Sequence, residues 1–565
     1  RARKHLENKK NLIPGRNMPM TRAADLIVAC LEAQGADRAF CVPGESYLAT
    51  LDAFARRNRI ELVQARHESG AGFMAVADAK LTGRPGIALV SRGPGATNAS
   101  IAVHTAEQDA VPLVLFIGQV SRDEIGRGAF QEIDYSKMFG DIAKAVWTIS
   151  DADRIPEIVA RAYQIAQSGT PGPVVIVLPE DMQFDETEAR PAEPMPVPRT
   201  APAGDDVDRV AKLLAKAERP VMIAGGLLDL PPARAALLKA AEAWSLPVVT
   251  SFKHQDVFPN DSPLYAGYLG FNIPKPQVEL LSESDLIVAV GTRLGDTTTQ
   301  GYVFPSIPPK QPLVHVYPDA GVVGRIFAAE IGLTADPVAF LEALAARGSG
   351  GGRGDWNARL KAYVDKLMGG APEPADDGVN FGLVVEALKP HLTDDAIVVT
   401  DAGNFSSWIH RHVRFNGRQT MLGAVSGAMG MGTPAAVAAS LRAPERQIIT
   451  FLGDGGAMMT GHELATAIAR GVKFKVFVSN NGSYGTIRLH QEKFFPGTVA
   501  STQLANPDFA KWGESFGAMG VTITKDDDLA AKVAEVMAHD GPVVADVHSS
   551  LERISAYVSI GDLKG

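Results

Sequence analysis

The sequence predicts an α/β protein made of three doubly wound domains, each built on a parallel β-sheet. Short apolar runs alternate with helix-length segments along the chain, and several of these runs end at glycines. Parallel strands need a crossover connection, usually a helix, so this alternation favours parallel sheets. A length of 565 residues suits about three domains, and an apolar fraction of 46% is enough for sizeable cores.

The first domain is expected over residues 20–189. Its clearest strands are predicted at 86–91, 112–118 and 173–178. Residues 190–203 are rich in proline, which predicts an extended linker. Residues 1–19 are largely basic and polar and lack the apolar core of a secretory signal. We therefore expect them to be a disordered or expression-derived tail, with Met18 or Met20 as the natural start.

The central and third domains show the same alternation of predicted strands and helices. The central domain is expected over 204–346, with strands at 220–224, 247–250, 286–290 and 313–317. A glycine-rich stretch opens the segment 347–375, which is predicted to be a flexible linker. The third domain is expected over 376–552, before a C-terminal tail at 553–565, and has strands at 397–400, 448–452, 474–479 and 543–547. Similar strand–helix order in the first and third domains suits a pseudo-symmetric pair.

Charge and composition exclude several classes of function. The net charge is −9 and the folded part has no long basic block, so nucleic acid is not an expected partner. No apolar run reaches about 18 residues, so no membrane span is expected. Cys30 and Cys41 both lie in apolar settings. This pattern excludes a disulfide framework and favours a cytoplasmic location.

The most informative motif lies at the ends of two strands of the third domain. Gly453-Asp454-Gly455 closes the run 448–452, and Asn480-Asn481 follows the run 474–479, with one helix expected over 458–470 between them. If the strands are neighbours, Asp454 and Asn481 lie at the same sheet edge. Mg²⁺ prefers a few protein oxygens together with phosphate oxygens, and glycines before a helix N-terminus let backbone N–H groups approach an anion. The motif therefore predicts a diphosphate bridged by a metal ion.

This spacing resembles the signature of enzymes that use thiamine diphosphate (ThDP). From about Met20 to about His548, the chain is similar to the acetolactate synthase and pyruvate oxidase branch of that superfamily. The resemblance implies the domain order pyrimidine-binding, central and diphosphate-binding.

For the third domain, the resemblance implies the cofactor contacts. The implied Mg²⁺ ligands are Asp454, Asn481 and the carbonyl of Ser483. Further implied contacts to the cofactor are Gly403, Asn404, Phe405, Gly453, Gly455, Gly456, Ala457, Tyr484 and Gly485. Asp401 stands at the start of the diphosphate loop, where a helix cap remains the alternative interpretation.

The stretch 426–432 resembles the loop that lies under the cofactor in this superfamily. The resemblance assigns Met429 to the apolar wedge between the two cofactor rings, and the Gly427 carbonyl to the acceptor for the exocyclic amine. A methionine among glycines otherwise fills a core.

In the first domain, the resemblance assigns Glu68 to the carboxyl group that protonates N1′ of the aminopyrimidine. It places the loop residues Gly93, Pro94, Gly95 and Asn98 over the pyrimidine. Gln131 is expected to face the substrate, although a polar surface loop is the alternative. In this superfamily the glutamate and the metal site meet across a subunit interface, so a homodimer or homotetramer is implied.

The chain departs from acetolactate synthases at two positions. Thr297 replaces the arginine that holds the carboxylate of the acceptor, and His490 replaces a tryptophan that helps to select the acceptor. The arginine that touches the flavin in this family is kept as Arg293, so FAD is possible. The usual Met-His-Gly segment is changed to Gly270-Phe271-Asn272, which leaves another nucleotide or an empty central domain as alternatives.

These residues predict a ThDP- and Mg²⁺-dependent enzyme that makes or breaks a carbon–carbon bond next to a carbonyl group. The expected reaction is decarboxylation of a 2-keto acid, carboligation, or both, as in acetolactate synthases. One alternative is a lyase resembling those for 2-hydroxyacyl-CoA or benzaldehyde, or a decarboxylase without a keto-acid acceptor. A catalytically silent ThDP-binding regulatory protein is another, which the complete set of motif residues disfavours.

Overall fold

The chain folds into three α/β domains, each containing a six-stranded sheet in which all paired strands are parallel. The computed structural model describes residues 20–271, 273–348 and 351–564. The expected tail 1–19 and Asn272 lie outside the described residues. The predicted fold class is confirmed.

The first domain begins and ends with a short antiparallel pair, β1 with β8. Its strands are β1 Thr21–Arg22, β2 Arg38–Cys41, β3 Glu61–Gln64, β4 Gly86–Val90, β5 Leu113–Gln119, β6 Ala145–Thr148, β7 Pro173–Pro179 and β8 Glu186–Thr187. Its helices are Ala23–Ala33, Leu48–Arg57, Glu68–Thr82, Pro94–Gln108, Tyr135–Phe139 and Ile155–Gln167. The main sheet has the order β3-β2-β4-β5-β7-β6.

The central domain has the strand order of a dinucleotide-binding fold, β11-β10-β9-β12-β13-β14. Its strands are β9 Pro220–Ala224, β10 Val248–Thr250, β11 Tyr265–Tyr268, β12 Leu286–Val290, β13 Leu313–Tyr317 and β14 Ile331–Thr334. Its helices are Gly204–Lys216, Pro231–Trp244, Lys275–Ser282, Pro337–Ala345 and Gly354–Met368.

The segment 347–375 is not simply a linker, because the helix Gly354–Met368 packs into the central domain. Trp356, Leu360 and Val364 are buried in its two cores. The Arg353 guanidinium donates to carbonyl oxygens of the same domain, among them Ala217 at 3.1 Å. The glycine-rich stretch that opens this segment predicts a linker, but the apolar face of the helix begins only after those glycines.

The third domain repeats the strand order of the first, β16-β15-β17-β18-β20-β19. Its strands are β15 Ile397–Thr400, β16 Thr420–Leu422, β17 Ile448–Gly453, β18 Lys475–Asn480, β19 Met519–Ile523 and β20 Val543–His548. Its helices are Phe381–Leu388, Ser406–His412, Gly432–Arg442, Asp454–Thr460, Leu464–Arg470, Gly485–Phe494, Phe509–Phe516, Leu529–Ala538 and Ile560–Lys564. The two sheets are thus related by the expected pseudo-symmetry.

Two local expectations in the third domain need correction. The single helix expected over 458–470 is two helices, Asp454–Thr460 and Leu464–Arg470, separated by a 3₁₀ turn at Gly461–Glu463. The C-terminal segment 553–565, expected as a tail, packs back on the domain. Its Ile554 and Ile560 share a small apolar core with Leu489 of the helix Gly485–Phe494.

Successive residues of each main strand enter different cores, as doubly wound sheets require. In β5, Leu113, Leu115 and Ile117 face one core, and Val114 and Phe116 face the other. None of the helices within the described ranges combines the length and the apolar composition that crossing a lipid bilayer requires.

The first and third domains pack together through the helices Glu68–Thr82 and Gly432–Arg442. Both helices are rich in buried alanine and glycine, which lets their backbones approach closely. At the end of this contact, the Arg442 guanidinium binds the carboxylates of Asp78 and Asp37 through pairs of hydrogen bonds of 2.8–2.9 Å. Arg442 holds the pKa of Asp37 well below its usual value, so this contribution is present above about pH 4 and is lost as the pH falls further.

We expect Arg442→Ala to lower the free energy of unfolding by on the order of 3 kcal/mol, because Asp78 then stays buried without its main cation. The Asp78 side chain is only 9% exposed. The control is Arg418→Ala, which removes a surface ion pair with Asp394 and should cost less than about 1 kcal/mol. Urea denaturation followed by circular dichroism measures both variants, and equal losses would contradict the assignment.

Candidate active site

The metal-site motif assembles at one edge of the third sheet. β17 and β18 are neighbours in register, with Gly453 opposite Ser479, so the residues after each strand meet at the same edge. The Ser483 N–H lies 3.2 Å from Asp454 Oδ2 and 3.1 Å from Asn481 Oδ1. The predicted convergence of Asp454, Asn481 and Ser483 is therefore present in the fold.

Asn506 is a residue of this site that the sequence reasoning missed. Its side-chain amide donates to Asp454 Oδ2 at 2.8 Å and to Asn480 Oδ1 at 2.9 Å. It thereby ties the aspartate to the end of β18. Asn506 lies in a loop with no motif around it, so no sequence signal pointed to this role.

The donor set at this edge fits Mg²⁺. Asp454 is 3% exposed, and burial raises the pKa of its carboxyl group. A bound cation opposes that shift, because an opposite charge nearby favours the ionised form. The described residues contain no group of three His, Cys, Asp or Glu side chains placed for a metal, but Mg²⁺ takes one carboxylate with amide, carbonyl and phosphate oxygens instead.

Glycines let the backbone pack closely against its neighbours beside this set. A Cβ atom on Gly455 would lie 2.5 Å from the Tyr484 ring, and one on Gly456 would lie 2.5 Å from Asp401 Oδ2. Asp454–Thr460 is a helix whose first turn carries these glycines, so its N–H groups face the same edge.

The loop after β15 is tied to the loop after β18. The Asn404 N–H donates to Thr486 Oγ1 at 3.0 Å, and its side-chain amide donates to the Gly485 carbonyl at 3.3 Å. The Phe405 ring packs beside Gly403 and Gly453. These contacts bring the expected cofactor residues of the two loops together.

Asp401 has a different role from a helix cap. The next helix begins only at Ser406, and the Asp401 carboxylate instead accepts the Gly430 N–H at 2.8 and 3.0 Å and the Ala402 N–H at 2.9 Å. Burial raises the pKa of Asp401 to about 6. Asp401 therefore holds the residue that follows Met429.

Lys253 reaches this loop from the central domain. Its ammonium group is buried, donating to Thr400 Oγ1 at 2.8 Å and to the Asp401 carbonyl at 3.2 Å. Burial lowers the pKa of Lys253 to about 8. It lies in the loop after β10, where nothing in the sequence separates it from a surface lysine.

A cavity of about 360 Å³ opens beside these groups. From the predicted set its lining includes Gly403, Asn404, Phe405, Gly427, Met429, Gly453, Asp454, Gly455, Gly456, Asn481, Ser483, Tyr484 and Gly485. Ala457 is buried behind it, in the core of the domain. Gly427 takes a positive φ of 70°, which turns the loop toward the cavity.

The first-domain residues form a second cluster. Asn98 donates to Glu68 Oε2 at 2.9 Å, and a Cβ on Gly95 would lie 3.4 Å from Glu68 Oε1. Pro94 begins the helix that carries Asn98, a position that suits proline. Gly93 takes a φ of 57° and has the Gln131 backbone against it.

The two clusters do not meet within one chain. All described residues that line the cavity belong to the central and third domains, and Glu68, Asn98 and Gln131 are absent from its wall. The start of the Glu68 helix is instead held by Glu463 of the third domain, whose carboxylate accepts the N–H groups of Arg66 and His67 at 2.9 and 3.1 Å.

The two positions that depart from the acetolactate synthase pattern lie apart from each other. His490 lines the cavity, whereas Thr297 does not, and neither does the retained Arg293. Arg293 pairs with Glu107 at 3.1 Å and donates to the Glu107 carbonyl at 2.6 Å. It joins the central domain to the first.

Sequence models of thiamine pyrophosphate enzymes match three successive parts of the chain: the N-terminal TPP binding domain at residues 21–138, the central domain at 207–344 and the C-terminal TPP binding domain at 401–547. Together with the fold and the glycine-lined cluster around Asp454 and Asn481, these matches define the class of protein, a ThDP-dependent enzyme.

Similar proteins show to which branch of the ThDP-dependent enzymes the chain belongs. The chain is 31% identical over 539 residues to the acetolactate synthase large subunit of Corynebacterium glutamicum, covering 93% of this chain and 86% of the relative. It is 31% identical over 537 residues to the acetolactate synthase isozyme 1 large subunit of Escherichia coli, covering 94% of each. The chain belongs to the acetolactate synthase-like branch of the ThDP-dependent enzymes. It is an enzyme that makes or breaks a carbon–carbon bond next to a carbonyl group.

We expect Lys253→Met to raise the dissociation constant for ThDP by roughly tenfold, because a hydrogen bond from a charged group contributes about 1.5–3 kcal/mol. The control is Lys275→Met, since the Lys275 side chain is 87% exposed on a helix of the same domain. Titration with ThDP, followed by quenching of tryptophan fluorescence, measures both constants, with Trp408 in the cavity wall as the reporter. An unchanged constant in Lys253→Met would remove Lys253 from the site.

Proposed function

We propose that this chain is a ThDP- and Mg²⁺-dependent carboligase or lyase whose active site forms between two subunits, and that its donor is a 2-keto acid or a 2-hydroxyacyl compound. The observation that carries the proposal is the division of the site. The metal-binding oxygens and Met429 converge in one cavity, while Glu68 and Asn98 converge on a separate face of the first domain.

In this proposal, Asp454, Asn481 and the Ser483 carbonyl hold Mg²⁺, and the glycine-lined loops hold the diphosphate. When bound, ThDP supplies an electron sink for the bond that breaks next to the donor carbonyl. Asn506 and the Ser483 N–H keep the Asp454 carboxylate oriented toward this edge.

The remaining residues position the cofactor and supply a proton to it. Glu68 holds the proton that is shared with N1′ of the aminopyrimidine, and Asn98 orients its carboxyl group through the 2.9 Å hydrogen bond. Met429 would lie between the two rings of the bound cofactor, and Asp401 keeps it in place through Gly430. The Gly427 carbonyl would accept a hydrogen bond from the exocyclic amine.

Exposed apolar side chains support assembly into a homodimer or homotetramer. On the first domain, Phe130 is 73% exposed in the segment that carries Gln131. On the third domain, Phe494, Phe495 and Ile487 are 61%, 68% and 53% exposed around the helix that carries His490. Exposed apolar groups at both half-sites are typical of surfaces that a partner covers.

Arg293, the residue that the resemblance assigns to the flavin, is committed to a protein contact. Its guanidinium is bound to Glu107 of the first domain. Elsewhere in the central domain, the His254 imidazole packs on Gly226 and forms a hydrogen bond with Asp229 at 2.8 Å. As arranged, these residues do not fit FAD.

A second candidate is a lyase or decarboxylase that uses no keto-acid acceptor. Thr297 favours it, because threonine cannot form the paired hydrogen bonds by which arginine recognises a carboxylate. The complete set of Glu68, Met429, Asp454 and Asn481 disfavours a catalytically silent regulatory protein.

We expect Asp454→Asn to lose ThDP retention while remaining folded, since asparagine preserves the shape of the side chain but not its charge. The matched control is Asp394→Asn, whose carboxylate is 77% exposed on the same domain. ThDP content after gel filtration in Mg²⁺ buffer is measured together with the far-ultraviolet circular dichroism spectrum. Stoichiometric ThDP in Asp454→Asn would overturn the metal assignment.

We expect Glu68→Gln to bind ThDP but to exchange the C2 proton of the cofactor more slowly, by about 10²- to 10⁴-fold, because glutamine cannot share a proton with N1′. Proton NMR after acid quenching measures the exchange. Glu157→Gln, a surface glutamate of the same domain, serves as the control. Exchange at the wild-type rate in Glu68→Gln would exclude the proposed role.

A further inference from the structure

One wall of the cavity is aromatic. The central domain contributes Phe252 after β10, Tyr268 at the end of β11 and Phe271 after it, and the third domain contributes His410. Tyr268 and His410 stack with their centroids 4.4 Å apart and their planes at 14°. Phe252 and Phe271 meet edge to face at 5.1 Å and 81°.

The outer ring of this wall is open to a ligand. Phe271 is 59% exposed, whereas Phe252 behind it is 7% exposed. Phe271 therefore packs on Phe252 and still exposes more than half of its side chain to a ligand. Aromatic groups pair favourably at centroid distances of about 4.5–7 Å in offset or edge-to-face arrangements. An aromatic ligand fits such a surface better than a small aliphatic one.

The cations near the cavity are already engaged by the protein. Lys253 is committed to Thr400 and Asp401, and the Arg553 guanidinium pairs with Glu373 at 2.8 Å. Lys253 is therefore engaged in holding the loop after β15 and is not available to the carboxylate of a second substrate. Burying a carboxylate without a partner costs several kcal/mol.

Two arginines nearby are committed as well. Arg488, in the helix that carries His490, binds Glu492 at 2.6 and 2.9 Å. In the first domain, Arg92 binds Glu180 at 2.8 Å and Glu45 at 3.0 Å. These two arginines already have carboxylate partners within the protein and are less available to a negatively charged acceptor.

We propose that the aromatic wall is the acceptor subsite and that it takes an uncharged aromatic aldehyde. The proposal rests on the proposed function. The bond between the carboxylate and carbonyl carbons of a 2-keto acid breaks and releases CO₂, and its electron pair forms a new bond from the acyl carbon to the aldehyde carbon. The aldehyde oxygen takes up one proton, which balances the charge of the 2-keto carboxylate, and the product is a 2-hydroxy ketone.

The experiment uses the full chain loaded with ThDP and Mg²⁺, a panel of 2-keto acids beginning with pyruvate, and three acceptors: benzaldehyde, acetaldehyde and a second pyruvate. Release of CO₂ reports the donor half-reaction, and product analysis reports the acceptor. We expect kcat/KM for benzaldehyde to exceed that for pyruvate as acceptor by at least about tenfold. Acetolactate formed from pyruvate alone at a rate matching the mixed reaction would overturn the proposal.

Phe271→Leu tests the wall while keeping an apolar side chain. It should lower kcat/KM for benzaldehyde by roughly tenfold, as expected for the loss of an aromatic pair, and leave acetaldehyde nearly unchanged. The control is Phe184→Leu, a ring that is 63% exposed and does not line the cavity. Equal effects of Phe271→Leu on both aldehydes would overturn the subsite.

Calorimetric titration of benzaldehyde into the loaded protein separates this proposal from the proposed function, because it needs no turnover. Weaker binding in Phe271→Leu than in Phe184→Leu supports the subsite even if none of the 2-keto acids releases CO₂. Failure to release CO₂ would count against the 2-keto acid donor alone. Equal binding by the two variants would contradict the subsite.

Discussion

The packing of the helix Glu68–Thr82 on the helix Gly432–Arg442 is the constraint on which the rest of the site depends. Small residues let the two helices approach, and the fully buried Glu463 carboxylate fixes the start of the first helix by accepting the Arg66 and His67 N–H groups. A side chain on Gly70 would collide with this carboxylate, at 2.3 Å. Because Glu68 begins one helix and Met429 precedes the other, this contact sets the positions of both residues at once.

All three domains support the loop that carries Met429. From the first domain, Asp109 accepts the Val425 and Ser426 N–H groups at 2.9 and 3.1 Å, and Lys80 donates to the Gly423 carbonyl at 2.7 Å. The central domain contributes Lys253, and the third contributes Asp401. Buried charges that are fully bonded hold one geometry, because any displacement leaves a charge unpaired in a low-dielectric interior. The loop is thereby organised before a ligand arrives.

The central domain connects the first and third domains and also lines one side of the cavity. Its strand order is that of nucleotide-binding folds, yet its Arg293 is engaged with the first domain and its Lys253 with the third. A fold that can bind a nucleotide does not have to do so, since binding depends on the side chains at the strand ends. In this chain, the same strand ends present Phe252, Tyr268 and Phe271 to the cavity.

Local sequence determined the most apolar strands, the division into three sheets and the pairing of the Asp454 and Asn481 motifs, because strand periodicity and glycine-rich turns are encoded by neighbouring residues. It also marked Glu68 and Met429, through motifs that resemble those of known enzymes. It did not mark the strands β11, β14, β16 and β19. Only the tertiary structure decided that Asn506, Glu463 and Lys253 support the site. Each of them bonds to a residue more than 50 positions away in the sequence. The helix within 347–375 and the packing of 553–565 were likewise decided by distant apolar surfaces, which local composition does not record.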